Sequence, residues 1–168
     1  MKYLRYFLIA TVAFISLSSN TSGTTQPSEG IYPGDLFPDM KNMENVSGAK
    51  INLLDLKGKK VLVNFWASND ADSRKDNVLF ANIINQKKYP VQMVSVSFDK
   101  SEAVFERTVD MDKIDKEYQF WADGKANTDF YKRYQLEKGF KSYLIDESGK
   151  IVAMNLTPES LDRLMKEI

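Results

Sequence analysis

The stretch Val61-Leu62-Val63-Asn64-Phe65-Trp66-Ala67-Ser68-Asn69-Asp70-Ala71-Asp72-Ser73-Arg74 decides the fold. It opens as an apolar run and turns through small and acidic residues into a helical pattern. A buried strand followed by a polar turn and a helix puts that turn at a strand's carboxyl end. In α/β folds this is where chemistry usually sits. The turn holds Asn69, Asp70, Asp72 and Ser73, and no cysteine.

The chain has 168 residues, a length that suits one domain. Acidic and basic residues balance. Removing an export segment with Lys2 and Arg5 would leave a slight acidic excess. Neither state points to nucleic acid or an anionic membrane as partner. The chain contains no cysteine and no histidine. That removes disulfides, thiolate nucleophiles, imidazole bases and most zinc chemistry. Acid–base work by carboxylates, Lys or Tyr stays open.

Residues 1–20 read as a signal peptide. Lys2 and Arg5 precede an apolar run from Phe7 to Leu17, the length of a signal core. A membrane span needs roughly 20 apolar residues. We therefore expect export, to the periplasm in a Gram-negative cell and otherwise to the medium, and no stable membrane anchor after cleavage. Residues 21–33 are rich in Ser, Thr, Gly and Pro and read as a flexible leader. The folded domain is expected over residues 34–168.

Within it, Ser47-Gly48 suggests a turn between strands near Asp39–Asn42 and Lys50–Asn52. Ser73 to Lys88 has helical periodicity, with Val78, Leu79, Phe80, Ile83 and Ile84 apolar. Val91 to Phe98 reads as a second buried strand, ended by Asp99, and Ser101 to Met111 as a helix capped by Ser101. Tyr118 to Ala122 is a short strand turned by Asp123-Gly124, and Thr128 starts a helix through about Tyr134. Ser142–Asp146 and Lys150–Met154 flank Glu147-Ser148-Gly149, a hairpin signal. Pro158 opens a last helix with Leu161, Leu164, Met165 and Ile168 inward. Alternation followed by a hairpin implies an α/β fold with a mixed central sheet and helices on both faces.

These residues resemble a known family. Val61 to Ser68, with Ser73-Arg74 after a short gap, is similar to the active-site segment of thioredoxin-fold proteins, and most similar to the exported TlpA/ResA-like thiol–disulfide oxidoreductases. Gly34-Asp35-Leu36-Phe37-Pro38-Asp39, Asp55-Leu56-Lys57-Gly58-Lys59 and Tyr143 to Ile151 resemble further motifs of that family. The resemblance implies a thioredoxin-like fold with N-terminal extension strands.

At the chemical positions the chain departs from the pattern. Asp70 and Ser73 stand where the family's CxxC cysteines stand, Ala71-Asp72 where it has Gly-Pro, and Asn69 where it has Trp. Phe140, after Gly139, takes the place of the cis-proline. A non-proline cis bond costs about 2.5–4 kcal/mol, so Gly139–Phe140 is expected to be trans. Asn64 takes the place of a buried, proton-shuttling Asp of thioredoxins. Val78 takes the place of a helix-kinking proline.

Thiol–disulfide exchange needs an attacking thiolate and a resolving thiol. Asp70 and Ser73 supply neither, so we expect no catalytic residues and no cofactor. A carboxylate at the helix start can act as a helix cap or as a fixed anion in the thiolate's place. Asp72 is by position the better cap, leaving Asp70 freer to face a partner. An oxygen-rich cation site from Asn69, Asp70, Asp72 and Asp76 lacks the Gly and the distal Glu of a calcium loop, so no metal is assigned. Phe140 is either an apolar knob beside Trp66 and Asp70 or a ring folded inward to close the old groove. Phe120, Trp121, Phe130 and Tyr131 read as core. The expected function is binding of a protein or peptide partner at the former active-site face, by Trp66, Asn69, Asp70, Ala71, Asp72, Gly139 and Phe140. The alternative is a thiol oxidoreductase or antioxidant-family protein with residual or altered activity.

Overall fold

The computed structural model describes residues 27–41, 43–122 and 128–167. The signal segment, residues 21–26 of the leader, the Asp123-Gly124 turn and Ile168 lie outside them.

Among the described residues, seven strands and four α-helices follow in order. β1 is Met43–Glu44, β2 Lys50–Ile51, β3 Lys60–Trp66, α1 Ala71–Lys87, β4 Val91–Ser97 and α2 Glu102–Asp112. β5 is Gln119–Trp121, α3 Thr128–Arg133, β6 Ser142–Ile145, β7 Ile151–Met154 and α4 Pro158–Glu167. The central sheet has the order β5-β4-β3-β6-β7. β3 pairs parallel to β4 from Lys60↔Val91 to Trp66↔Ser97, and antiparallel to β6. The sheet is mixed, as the alternation and the closing hairpin imply.

Period-2 alternation along β3 builds two cores. Val61, Val63 and Phe65 face one with Phe37, Val94, Val96, Phe98 and Tyr134. Leu62 and Trp66 face the other with Phe80 and Ile84 of α1, Phe105 and Val109 of α2, and Leu161 and Met165 of α4. α3 and the N-terminal segment cover the first face and α1, α2 and α4 the second. Each large apolar side chain buried this way stabilises by roughly 1.5–3 kcal/mol. Among the described residues no helix is long and apolar enough to cross a membrane.

Two expectations need correction. The first strand of the small hairpin is Met43–Glu44, not Asp39–Asn42; residues 39–41 form no strand and 42 is not described. The cause is Asn45, whose Oδ1 accepts the amides of Ser47 and Ala49 at 3.0 and 2.9 Å. That closes a tight turn and forces pairing to begin beside it. The leader, too, ends earlier than its composition suggests. Glu29 bridges Leu36, the Gly30 amide donates to the Leu36 carbonyl at 3.0 Å, and Ile31 is buried in the core.

Candidate functional site

β3 ends at Trp66, and the chain then turns from Ala67 to Asp70 into α1. Asp70 has extended backbone angles, φ −104° and ψ 103°, and its side chain accepts the Ser73 amide at 2.9 Å. It is the N-cap of α1. The Ser73 hydroxyl lies 3.3 Å from the Asp70 carbonyl, to which it donates, and accepts the Ala67 amide at 3.4 Å. Asp70 and Ser73, the two positions that the resemblance sets against the family's cysteines, therefore face each other across the first turn, joined by hydrogen bonds.

The expected cap was Asp72, and this is corrected. Capping needs non-helical backbone at the capping residue. Asp72 is already helical, its side chain is 95% exposed, and it lies 3.5 Å from Lys75. Asp76 also approaches Lys75, at 3.9 Å. Desolvation raises the Asp76 pKa, and Lys75 opposes that shift. Among the described residues no group of three or more acidic side chains is placed to hold a metal ion.

An open groove of about 970 Å³ lies at the carboxyl ends of β3 and β4. Its lining combines Ala67 to Asp70, Phe98 to Ser101, Val104 of α2, Tyr131 and Lys132 of α3, Glu137 and Phe140. Phe140 is half-buried, its ring 6.0 Å from Phe98 and tilted by 30°. It walls the groove without filling it. Gly139 is exposed and has φ +110° with ψ 157°, a region essentially restricted to glycine, and this directs the chain into Phe140. No peptide bond among the described residues is cis.

Of the expected binding residues, Asn69, Asp70 and Phe140 meet in this groove. Ala71 and Asp72 are exposed on the first turn of α1, outside the lining. Trp66 is withdrawn entirely. Its exposure is 0% and its ring packs on Phe105 in the opposite core. Trp66 alternates with Phe65 along β3, so it points away from the face on which Phe98 and Phe140 stack. Tyr131, expected in the core, is half-buried, packs 5.6 Å from Phe98 and lines the groove. Phe120 is core as expected.

The sequence reading missed Phe98, Asp99, Lys100, Ser101, Val104, Lys132 and Glu137 as lining residues. For Phe98 to Ser101 a signal exists: they follow the parallel neighbour of β3 at the same end of the sheet. Asp99 is 5% exposed. It accepts the Ser68 amide at 3.0 Å, the Ser68 hydroxyl at 2.6 Å and the Ser97 hydroxyl at 2.8 Å. Nearby, Arg74 forks onto Asp112 with contacts of 2.8 and 2.5 Å, joining α1 to α2. That hydrogen bond raises the Arg74 pKa against desolvation, and the fields of Asp112 and Asp99 add to it.

The Redoxin family model matches residues 32–167. The chain is 30% identical over 124 residues to the thioredoxin-like protein YneN of Bacillus subtilis, covering 73% of this chain and 70% of the relative. It is 27% identical to the thiol-disulfide oxidoreductase ResA of Oceanobacillus iheyensis over 162 residues, 94% of this chain and 80% of ResA. A crystal structure of a thioredoxin-like protein from Parabacteroides distasonis superposes with a TM-score of 0.70 at 40% identity. That match covers 84% of this chain and 99% of the other. Family model, fold and sequence agree, and this chain belongs to the redoxin family, with the thioredoxin-like fold and without a cysteine to its name.

Proposed function

We propose that this chain is an exported, redox-inactive thioredoxin-like protein that binds a polypeptide at the groove beside Asp70 and Phe140. One observation carries the reading: the face at the ends of β3 and β4 is an open groove of about 970 Å³ with aromatic walls, and no thiol stands on it. Disulfide exchange moves two electrons through sulfur. A carboxylate and a hydroxyl cannot carry them, so recognition is what the retained face can do. Phe98, Tyr131 and Phe140 supply apolar contact area, and Asn69, Lys100 and Glu137 supply polar contacts at the rim. The basic and apolar start of the chain supports export.

The test compares proteins captured by the wild type with those captured by Phe140→Ala and by Asp70→Asn, which retains a capping oxygen. Loss of the same specific partners in both variants is expected. Identical partner sets would remove the groove as the binding face. The name of the ResA relative favours a second reading, an oxidoreductase with altered activity. An insulin-reduction or peroxide assay on the purified chain decides between the two: turnover above background would overturn redox inactivity.

A further inference from the structure

We propose that Asp99 is the positioning residue of the groove, the group that holds its two strand-end walls at a fixed separation. The inference rests on the reading of this groove as the binding face. The β3–β4 ladder ends at Trp66↔Ser97, with one more backbone hydrogen bond of 2.8 Å from the Phe98 amide to the Trp66 carbonyl. Beyond that point the two chains part toward α1 and α2, and the groove lies at their divergence. Asp99 spans the gap where the ladder stops. Its Oδ1 accepts both the amide and the hydroxyl of Ser68, at 3.0 and 2.6 Å, on the β3 side. Its Oδ2 accepts the Ser97 hydroxyl at 2.8 Å on the β4 side. Its own carbonyl accepts Trp121 Nε1 at 2.8 Å, which ties the clamp to β5 as well.

A carboxylate offers about four acceptor positions, and three are filled from within the chain. Asp99 is therefore fixed by the fold and acts on a ligand through Ser68 and the turn that carries Asn69 and Asp70. An asparagine can reproduce the arrangement. Its carbonyl can keep both Ser68 donors, and its amide can donate to the Ser97 oxygen.

The absence of cysteine permits a direct measurement. Asn69→Cys and Val104→Cys place two nitroxide labels on exposed residues that line the groove from the turn and from α2. Pulsed electron spin resonance then reads the distance distribution across it. A single narrow distribution is expected in this background. Asp99→Ala should at least double its width, Asp99→Asn should leave it unchanged, and Ser68→Ala should broaden it partly. If Asp99→Ala does not fold, Ser68→Ala against Asp99→Asn decides. A merely stabilising role would lower the melting temperature and leave the widths equal, and equal widths overturn the proposal. Broadening in a protein that captures no partner at Phe140 would instead sink the binding reading and leave the clamp standing.

Discussion

Asp70 accepts the Ser73 amide at 2.9 Å, so its carboxylate belongs first to the helix it starts. Replacing an aspartate cap by alanine costs about 0.5–2 kcal/mol. Asp70→Ala should lower stability by that amount in urea unfolding, whereas Asp72→Ala should stay within about 0.5 kcal/mol of the wild type. Equal losses would mean that the first turn is capped differently in solution. The two residues are hard to tell apart in the sequence, because an acidic side chain is favoured both at the cap and in the first helical turn. Backbone angles separate them, and those depend on where Trp66 and Ala67 leave the sheet. Phe140's place in the groove lining was legible because the resemblance sets it against a proline, a change that stands out locally. Asp99 was not, because its partner Ser68 lies 31 positions away and nothing local marks the pairing.

The elements are packed around polar contacts that periodicity does not reveal. α1 lies on the sheet through Phe80 and Ile84, but its fully buried Asn77 is polar. Asn77 Oδ1 accepts from Asn64 Nδ2 at 3.3 Å and from the Ser95 hydroxyl, and its Nδ2 donates to Gln119 Oε1 at 3.0 Å. This ladder links α1 to β3, β4 and the start of β5 at one depth. An unpaired buried polar group costs about 1–3 kcal/mol, and Asn77→Ala would leave three of them. We expect a loss of about 3–5 kcal/mol by urea unfolding; a loss under about 1 kcal/mol would mean that water heals the gap. At the other end of the helix Asp162 of α4 accepts from Lys166 at 2.7 Å, from Lys87 of α1 and from Tyr89 at 2.7 Å. The hydrogen bonds from Lys166, Lys87 and Tyr89, in that order, hold its pKa well below the usual carboxylate range. A depressed folded-state pKa contributes stability that is fully present above the unfolded value, near 3.9, and is lost as pH falls below it toward the folded value. Asp162→Asn should therefore lower the melting temperature at pH 7, and its difference from the wild type should shrink on titration toward pH 2. A difference that stays constant over that range would remove the carboxylate's charge as the cause. The apolar face of α4 was readable from Leu161 and Met165; the clasp was not, because Lys87 and Asp162 are 75 residues apart.

At the scale of the whole molecule, a thioredoxin-like frame runs from β3 through a short turn into α1 in a chain that holds no cysteine. The architecture was legible because the strands are apolar runs and the hairpin turn is explicit. The direction of Trp66 was legible too, had parity been applied: Val61, Val63 and Phe65 share one core, so Trp66 belongs to the other. What stayed hidden was the groove itself, since its walls come from four segments that only the fold assembles. The last prediction asks whether the frame still holds the reactive geometry. Positions 70 and 73 are three residues apart at the start of α1 and face each other through two hydrogen bonds, one of 2.9 Å and one of 3.3 Å. A disulfide needs Cβ atoms about 3.5–4.5 Å apart, a spacing that one helical turn can supply. A thiolate at position 70 would meet the free amides and positive end of α1, which lower a thiol's pKa. We therefore expect Asp70→Cys with Ser73→Cys to form a disulfide on mild oxidation, read by mass and by thiol titration before and after reduction. The single variant Asp70→Cys should react with an alkylating agent faster at neutral pH than Met111→Cys, an exposed position in the last turn of α2 and away from a helix start. If the pair stays reduced under conditions that oxidise free cysteine, the turn has drifted from the family's geometry. The face around Asp70 would then be a relic of the fold and not a preserved surface.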